Sequence, residues 1–157
     1  MDVRKATAAD VDAAVAMIER DRRLQQKYQP TFWRKAVKSA ETTKVSFLKE
    51  LDGKGALFLV AVEGAQTLGF LIARKRPMSP VYAPGGDTYL VDDFCVAEPH
   101  LWLSIGEALL SHASALVHEA GAVQIVVSCG ERDLAKAEML RRSDLTIASN
   151  WWTKPLR

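Results

Sequence analysis

Two adjacent carboxylates, Asp92 and Asp93, lie in the stretch Thr88–Val96, which otherwise reads as a β-strand. A carboxylate can take a proton or pair with a cation. Strand side chains alternate between the two faces of a sheet, so these two acids point to opposite sides and only one can line a given pocket. Asp92 shares its parity with Phe94 and Val96, and Asp93 with Cys95. Either acid could equally pair with a surface Arg or Lys. Other reactive groups are sparse. The two cysteines, Cys95 and Cys129, form no C-x-x-C pair, and of the three histidines, His100, His112 and His118, the last two are six apart. That spacing does not put two ligands on one helix face, so no metal site is expected. Nothing local joins a Cys to a His as a nucleophile. Free buried thiols are the expectation for both cysteines.

The elements that must position these residues can be read from periodicity. Residues 2–6 read as a short strand. Thr7 can cap a helix whose apolar face is Val11, Ala14, Val15 and Ile18, with Asp10 and Asp12 at its positive end. Pro30 interrupts the chain after this helix, and Gln25–Ser39 is expected as loop with a helical turn. Val45, Leu48 and Leu51 space as a second helix, closed by Asp52-Gly53. Ala56–Glu63 and Thr67–Lys75 are two strands joined by a tight turn, and the Pro- and Gly-rich stretch 77–86 is loop. After Thr88–Val96 and Pro99, the residues Ile105, Leu109, Ala113 and Leu116 mark a long helix that Gly121 ends. Val123–Ser128 is apolar enough to be a central strand. Asp133–Arg142 is a short helix with Leu134, Ala137, Met139 and Leu140 inward, and the aromatic tail Leu145–Leu156 reads as strand.

Composition narrows the function classes. The chain has 157 residues, an apolar share of 48%, a charged share of 25% and a net charge of +2. Length and pattern give one domain, residues 1–157, with no repeat or linker. A chain of this size buries about 68–70% of its unfolded surface and needs no disulfide or metal to hold a core. No apolar run approaches the ~18 residues of a membrane span, so no membrane partner is expected. The start carries two Asp and no apolar h-region, so a cytoplasmic location is expected. The charge of +2 argues against broad binding of nucleic acid. The local basic clusters Arg20-Asp21-Arg22-Arg23 and Arg74-Lys75-Arg76 read as solvated faces.

The order of elements, and three segments in particular, resemble the GNAT superfamily of N-acetyltransferases. In the first segment, Val96 sits where the family keeps a valine. Leu101, Ser104 and Gly106 fall on the R/Q, G and G/A positions of R/Q-x-x-G-x-G/A, with Leu109-Leu110 after them. The second is Asp133–Leu145, where Asp133 falls on the family's Asn, Leu140 on its Tyr and Asp144-Leu145 on its Gly-Phe. The third is the close, Trp151-Trp152-Thr153-Lys154-Pro155-Leu156. The resemblance covers nearly the whole chain. It implies an α/β (α+β) fold: a mixed, mostly antiparallel sheet of about seven strands with a splay between strands 4 and 5, flanked by about four helices.

It also implies the chemistry: an N-acyltransferase that moves an acetyl group directly from acetyl-CoA to a primary amine of a small molecule or peptide, with no metal. The alternative is a GNAT-fold acyl-CoA-binding or interaction module without catalysis. Backbone groups of Phe94, Cys95 and Val96 would bond the pantetheine arm. Backbone of Leu101, Trp102, Leu103, Ser104, Ile105, Gly106 and Glu107 would hold the pyrophosphate at a helix start, with Asp133 and Lys136 completing the cofactor set. Leu101 lacks the side-chain donor of an Arg or Gln, a bond worth about 1.5–3 kcal/mol and so tenfold or more in affinity. Lys136, Arg141 and Arg142 could replace it. Asp92 or Asp93 would be the base, acting through water because an Asp reference pKa of about 3.9 is low. Leu140 cannot supply the leaving-group proton, for which solvent, Ser143, Ser128 or a tyrosine elsewhere would stand in. Tyr28, Trp33 and Tyr82, with Phe32, would line the acceptor pocket. Exposed Trp151-Trp152 would be costly, which points to a homodimer.

Overall fold

A computed structural model describes residues 1–156. The chain opens with strand β1 (Asp2–Lys5), a 3₁₀ turn (Ala8–Asp10) and helix α1 (Val11–Tyr28). Asp10 starts this helix by accepting from the Thr7 amide at 2.7 Å and its hydroxyl at 2.8 Å, while Arg4 holds the same carboxylate at 2.9 and 3.0 Å. The buried face of α1 is the expected Val11, Ala14, Val15 and Ile18. The helix runs on to Tyr28, into the stretch expected as loop, and stops where Pro30 drives Gln29 out of the helical region, at φ −141° and ψ 74°.

Helix α2 (Ser39–Glu50) lies where the spacing predicts it but buries a different face. Ser39, Thr43 and Phe47 point inward, while Val45 and Leu48 are exposed. Two interactions set this rotation. Phe47 enters a cluster with Phe58 and Phe70, with ring centroids 5.5 Å from each. Ser39 and Thr43 face a charged network on α1.

Strands β2 (Ala56–Glu63), β3 (Gln66–Arg76), β4 (Asp87–Val96) and β5 (Ala122–Val127) join β1 in one sheet of order β1-β2-β3-β4-β5. All pairs are antiparallel except the parallel β4–β5 pair. Helices α1 and α2 cover one face, around Phe58, Val60, Phe70, Ile72 and Cys95. Helices α3 (Glu107–Glu119) and α4 (Leu134–Arg142) cover the other, around Leu59, Leu71, Ala73, Val91, Phe94 and Val96.

The sheet has five strands rather than about seven. The tail 145–156 forms no strand and pairs with none, and Trp151 and Trp152 are 81% and 91% exposed. Strand β5 is therefore an edge, not a central strand, and its Val123 is exposed. Its apolar composition reflects residues packed on α3, where Ala122 is buried and Ile125 and Val127 are half-buried.

Glu19 is the buried charge of the α1–α2 layer. It accepts from Lys35 Nζ at 2.6 Å, from Arg22 Nη1 at 3.0 Å and from the Ser39 hydroxyl. Burial alone would raise its pKa, but Lys35, Ser39 and Arg22 outweigh burial and hold it at about 2, against an ordinary 4.5. A lowered folded-state pKa stabilises the fold above the unfolded value and loses that stabilisation as pH falls through the folded value. Urea denaturation is expected to lose about 3 kcal/mol of stability from this group between pH 4.5 and pH 2. Glu19→Gln, which cannot titrate, should flatten the wild-type slope in that window. An unchanged slope would contradict the assignment.

Candidate functional site

Strands β4 and β5 run together only as far as the pair Val91–Val127. One further bond, from the Ser128 amide to the Val91 carbonyl at 3.0 Å, closes the ladder. Beyond it β5 has ended and Asp92–Val96 continues without a partner on that side, at the place where the resemblance implies a splay. At that point sits a β-bulge. Ile72 pairs with Asp93 and Ala73 with Val91, so Asp92 is the extra residue. Simple alternation therefore fails across Asp92: Val91 and Phe94 both pack on the α3–α4 face.

The bulge separates the two acids chemically. Asp92 is exposed where the β4–β5 ladder ends, and its carboxylate accepts from the Ser128 hydroxyl. Asp93 lies on the α1–α2 face with Cys95, bridging Arg74 Nη1 at 2.8 Å and Arg22 Nη2 at 3.7 Å. Arg74 is fixed in turn by Glu50 at 2.7 Å. Asp93 is thus a member of a structural ion network, and Asp92 is the carboxylate exposed to solvent. The basic clusters are only partly solvated faces. Arg22 and Arg74 turn inward to these acids, as does Arg20, which donates to the Val96 carbonyl at 2.7 Å and to the Ala97 carbonyl.

The free edge of β4 is also held from the other face. Lys136 of α4 is buried, donates from Nζ to the Phe94 carbonyl at 3.2 Å, and lies 5.2 Å from the Phe94 ring centroid and 5.3 Å from that of Trp102. It does not project toward a phosphate at the helix surface. Arg141 and Arg142 are exposed and engage Glu138. Asp133 caps α4 by accepting from the Lys136 amide at 3.3 Å, and burial raises its pKa even with the Lys136 charge opposing that shift.

The segment expected as a phosphate loop is helical from its start. A 3₁₀ turn (Pro99–Leu101) passes into a π turn (Trp102–Gly106) and then α3. Trp102 folds inward, edge-on to Phe94 with centroids 4.9 Å apart. A Cβ at Gly106 would lie 2.5 Å from the Trp102 ring, so this glycine makes room for the indole. Ile105 is also buried, while Leu103, Ser104 and Glu107 are exposed, and Leu101 packs half-buried on the core. Leu140 is a core residue.

The expected acceptor aromatics are not brought into one wall. Tyr28 places its hydroxyl against Gly130, where a Cβ would lie 2.4 Å away. Burial raises the pKa of this phenol, and Asp133, Cys129 and Glu131 add to the shift. Trp33 and Phe32 stack edge-on at 4.6 Å, and Trp151 joins Phe32 at 6.0 Å. Tyr82 lines an open cavity of about 620 Å³ under the β3–β4 loop, whose lining includes neither Tyr28 nor Trp33. Asp87 lines that cavity too, paired with Lys75 at 2.6 Å.

Both cysteines are free, but only Cys95 is buried; Cys129 is exposed on the loop after β5. Burial raises the pKa of the Cys95 thiol, and Asp21, which accepts from its Sγ at 3.1 Å, raises it further; surrounding protein that partly excludes water raises that of Cys129. Neither is a thiolate nucleophile at neutral pH. Among the described residues no group of three His, Cys, Asp or Glu could hold a metal ion, and no helix is long and apolar enough to cross a membrane.

Sequence reasoning missed Arg20 as a partner of β4, because a run of three arginines gives no sign of which one turns inward. It also missed the pairing of Ser128 with Asp92, which depends on where two strands part.

No protein-family model matches the chain, and no curated protein matches it significantly. Solved structures do. A variant of the BH1408 protein from Bacillus halodurans superposes with a TM-score of 0.85 at 15% identity, covering 100% of both chains. A predicted acetyltransferase with acetyl-CoA from Clostridium acetobutylicum gives a TM-score of 0.74 at 14% identity, over 98% of this chain and 95% of that one. A ribosomal-protein-alanine N-acetyltransferase from Brucella melitensis gives 0.64 at 16% identity, over 100% and 99%. With its parallel β4–β5 pair, its unpaired end of β4 and its helices on both faces, the chain has the fold of the GNAT acetyltransferases.

Proposed function

We propose that the protein is an acyl-CoA-dependent N-acyltransferase, moving an acetyl group from acetyl-CoA to a primary amine of a small molecule or peptide. The observation that carries this reading is the unpaired end of β4 beyond β5, with an exposed carboxylate at its start whose partner is the Ser128 hydroxyl. Acyl transfer to an amine needs two reactants held together and a group to take the ammonium proton. The β4 edge at Phe94 and Val96 presents main-chain groups to an extended amide ligand once Lys136 and Arg20 release the two carbonyls, and Asp92 stands at the end of that track. Acetyl-CoA supplies the activated thioester. The chain supplies the track and the proton acceptor, working through a bridging water.

One observation favours a second reading, a binding module that keeps the scaffold without turnover. The Phe94 carbonyl already accepts from Lys136, and Trp102 fills the space beside Gly106. Titration calorimetry with acetyl-CoA, combined with free-thiol release against a panel of amines, separates the two. Binding with thiol release supports the transferase; binding without release supports the module; no binding rejects both.

Lys136 gives the transferase reading a sharper consequence. A ligand amide and the Lys136 ammonium compete for one carbonyl. Lys136→Met keeps the length of the side chain and its packing on two rings but removes the donor. A charged hydrogen bond is worth about 1.5–3 kcal/mol, so the variant is expected to bind acetyl-CoA about tenfold more tightly by calorimetry. Weaker binding would make Lys136 a ligand of acetyl-CoA instead of its competitor.

A further inference from the structure

We propose that Ser128 and Asp92 form a proton relay that delivers the amine's proton to the leaving sulfur, the role for which Leu140 is chemically unfit. The proposal rests on the acyltransferase reading and adds a second residue to its chemistry. The two side chains come from different strands at the last rung of the β4–β5 ladder. The Ser128 amide bonds the Val91 carbonyl at 3.0 Å, and its hydroxyl donates to Asp92 Oδ1. Each is exposed at the point where the β4–β5 ladder ends. Of the other candidates, Asp93 is held by Arg74 and Arg22, the Ser143 hydroxyl points to Met139 Sδ at 3.6 Å, and the Tyr28 hydroxyl is buried against Gly130, away from solvent.

The step balances. The amine nitrogen bonds the acyl carbon, and the carbon–sulfur bond breaks with its electron pair on sulfur. The ammonium proton passes to Asp92, directly or through one water. The Ser128 hydroxyl gives its proton to the thiolate and takes the proton held by Asp92. The net result is one proton moved from nitrogen to sulfur, with both side chains restored. A hydroxyl alone is too weak an acid for this work. A hydroxyl re-protonated by a neighbouring carboxylic acid is not, because no alkoxide has to persist.

The test is Ser128→Ala, a surface change that leaves the core intact, with Ser128→Thr as the conservative control. Thiol release from acetyl-CoA is expected to fall by about 10–100-fold in kcat with KM for acetyl-CoA unchanged, and Thr is expected to restore most of it. A second donor, the thioacetate of p-nitrothiophenol, has a leaving group acidic enough to depart without a proton. With it the Ala variant is expected to lie close to wild type. Full activity of Ser128→Ala with acetyl-CoA, or an equal deficit with both donors, would overturn the relay while leaving the transferase intact. A wild-type protein whose thiol release is not increased by any amine would overturn relay and transferase together.

Discussion

Asp92→Asn is expected to lower acetyl-CoA-dependent thiol release by a factor of about 10²–10⁴, the usual cost of losing a positioned general base. The substitution keeps the shape of the side chain and an oxygen that still accepts from Ser128, so the bulge on β4 has no reason to move. What it removes is the capacity to take a proton. Acetyl-CoA affinity by calorimetry should therefore stay at the wild-type value while kcat falls. Asp93→Asn should behave in the opposite way. It weakens the pairs to Arg74 at 2.8 Å and Arg22 at 3.7 Å. Its effect should appear in the denaturation midpoint first and in turnover only as a consequence. If both variants lose turnover equally with unchanged stability, the distinction drawn between the two acids fails.

Phe70→Ala is expected to destabilise the protein by about 3–5 kcal/mol, read as a shift in the urea midpoint at unchanged slope. Phe70 is fully buried and stands between Phe47 at 5.5 Å and Phe58 at 6.0 Å, joining α2 to strands β2 and β3. Its aromatic neighbours, Phe47 on α2 and Phe58 on β2, pack edge-on or tilted against it, so its removal leaves a gap between helix and sheet. Folded domains of this size keep only about 5–15 kcal/mol in reserve, so the loss is a large share of the total. Phe70 also pairs across the ladder with Cys95, in the middle of the unpaired β4 edge. The variant should therefore lose acetyl-CoA affinity at temperatures where it is still folded. A shift below about 1 kcal/mol would mean that α2 contributes little to the core.

Local patterns in the sequence were enough to place most elements. Strands β2 and β3, the start of α1 and helix α3 can be read from periodicity and caps because each buries a continuous apolar face, whereas Leu134 of α4, expected inward, is exposed. What could not be read depended on neighbours far along the chain. The Val45–Leu48 face of helix α2 is the more apolar in sequence, but contacts of Phe47 with Phe58, Ser39 with Glu19 and Thr43 with Arg22 turn the other face inward. The tail carries strand-forming residues, yet a strand needs a partner edge, and composition cannot say whether residues 145–156 find one. The site shows the same division. The structure does gather Asp92, Gly106 and Lys136 about the unpaired end of β4, through the Ser128 pair, the Trp102–Phe94 contact and the Phe94 carbonyl. Alternation could not foresee a bulge that skips one residue, and a glycine in a phosphate-loop pattern could not announce that an indole would fill the space beside it.

The unpaired run Asp92–Val96 has a consequence for the molecule as a whole. It is an open edge in the interior of a sheet, and such an edge is a template on which any extended chain can add. Proteins usually close such edges with another strand or with a barrel. Here two cations close it, Arg20 from one face on the Val96 and Ala97 carbonyls and Lys136 from the other on the Phe94 carbonyl. A strand leaves an edge only by unzipping a whole ladder. A guanidinium and an ammonium leave one carbonyl at a time, by rotations about single bonds. The edge is thus guarded against accidental strand addition yet can be opened stepwise, by a ligand that brings its own donors in the same order.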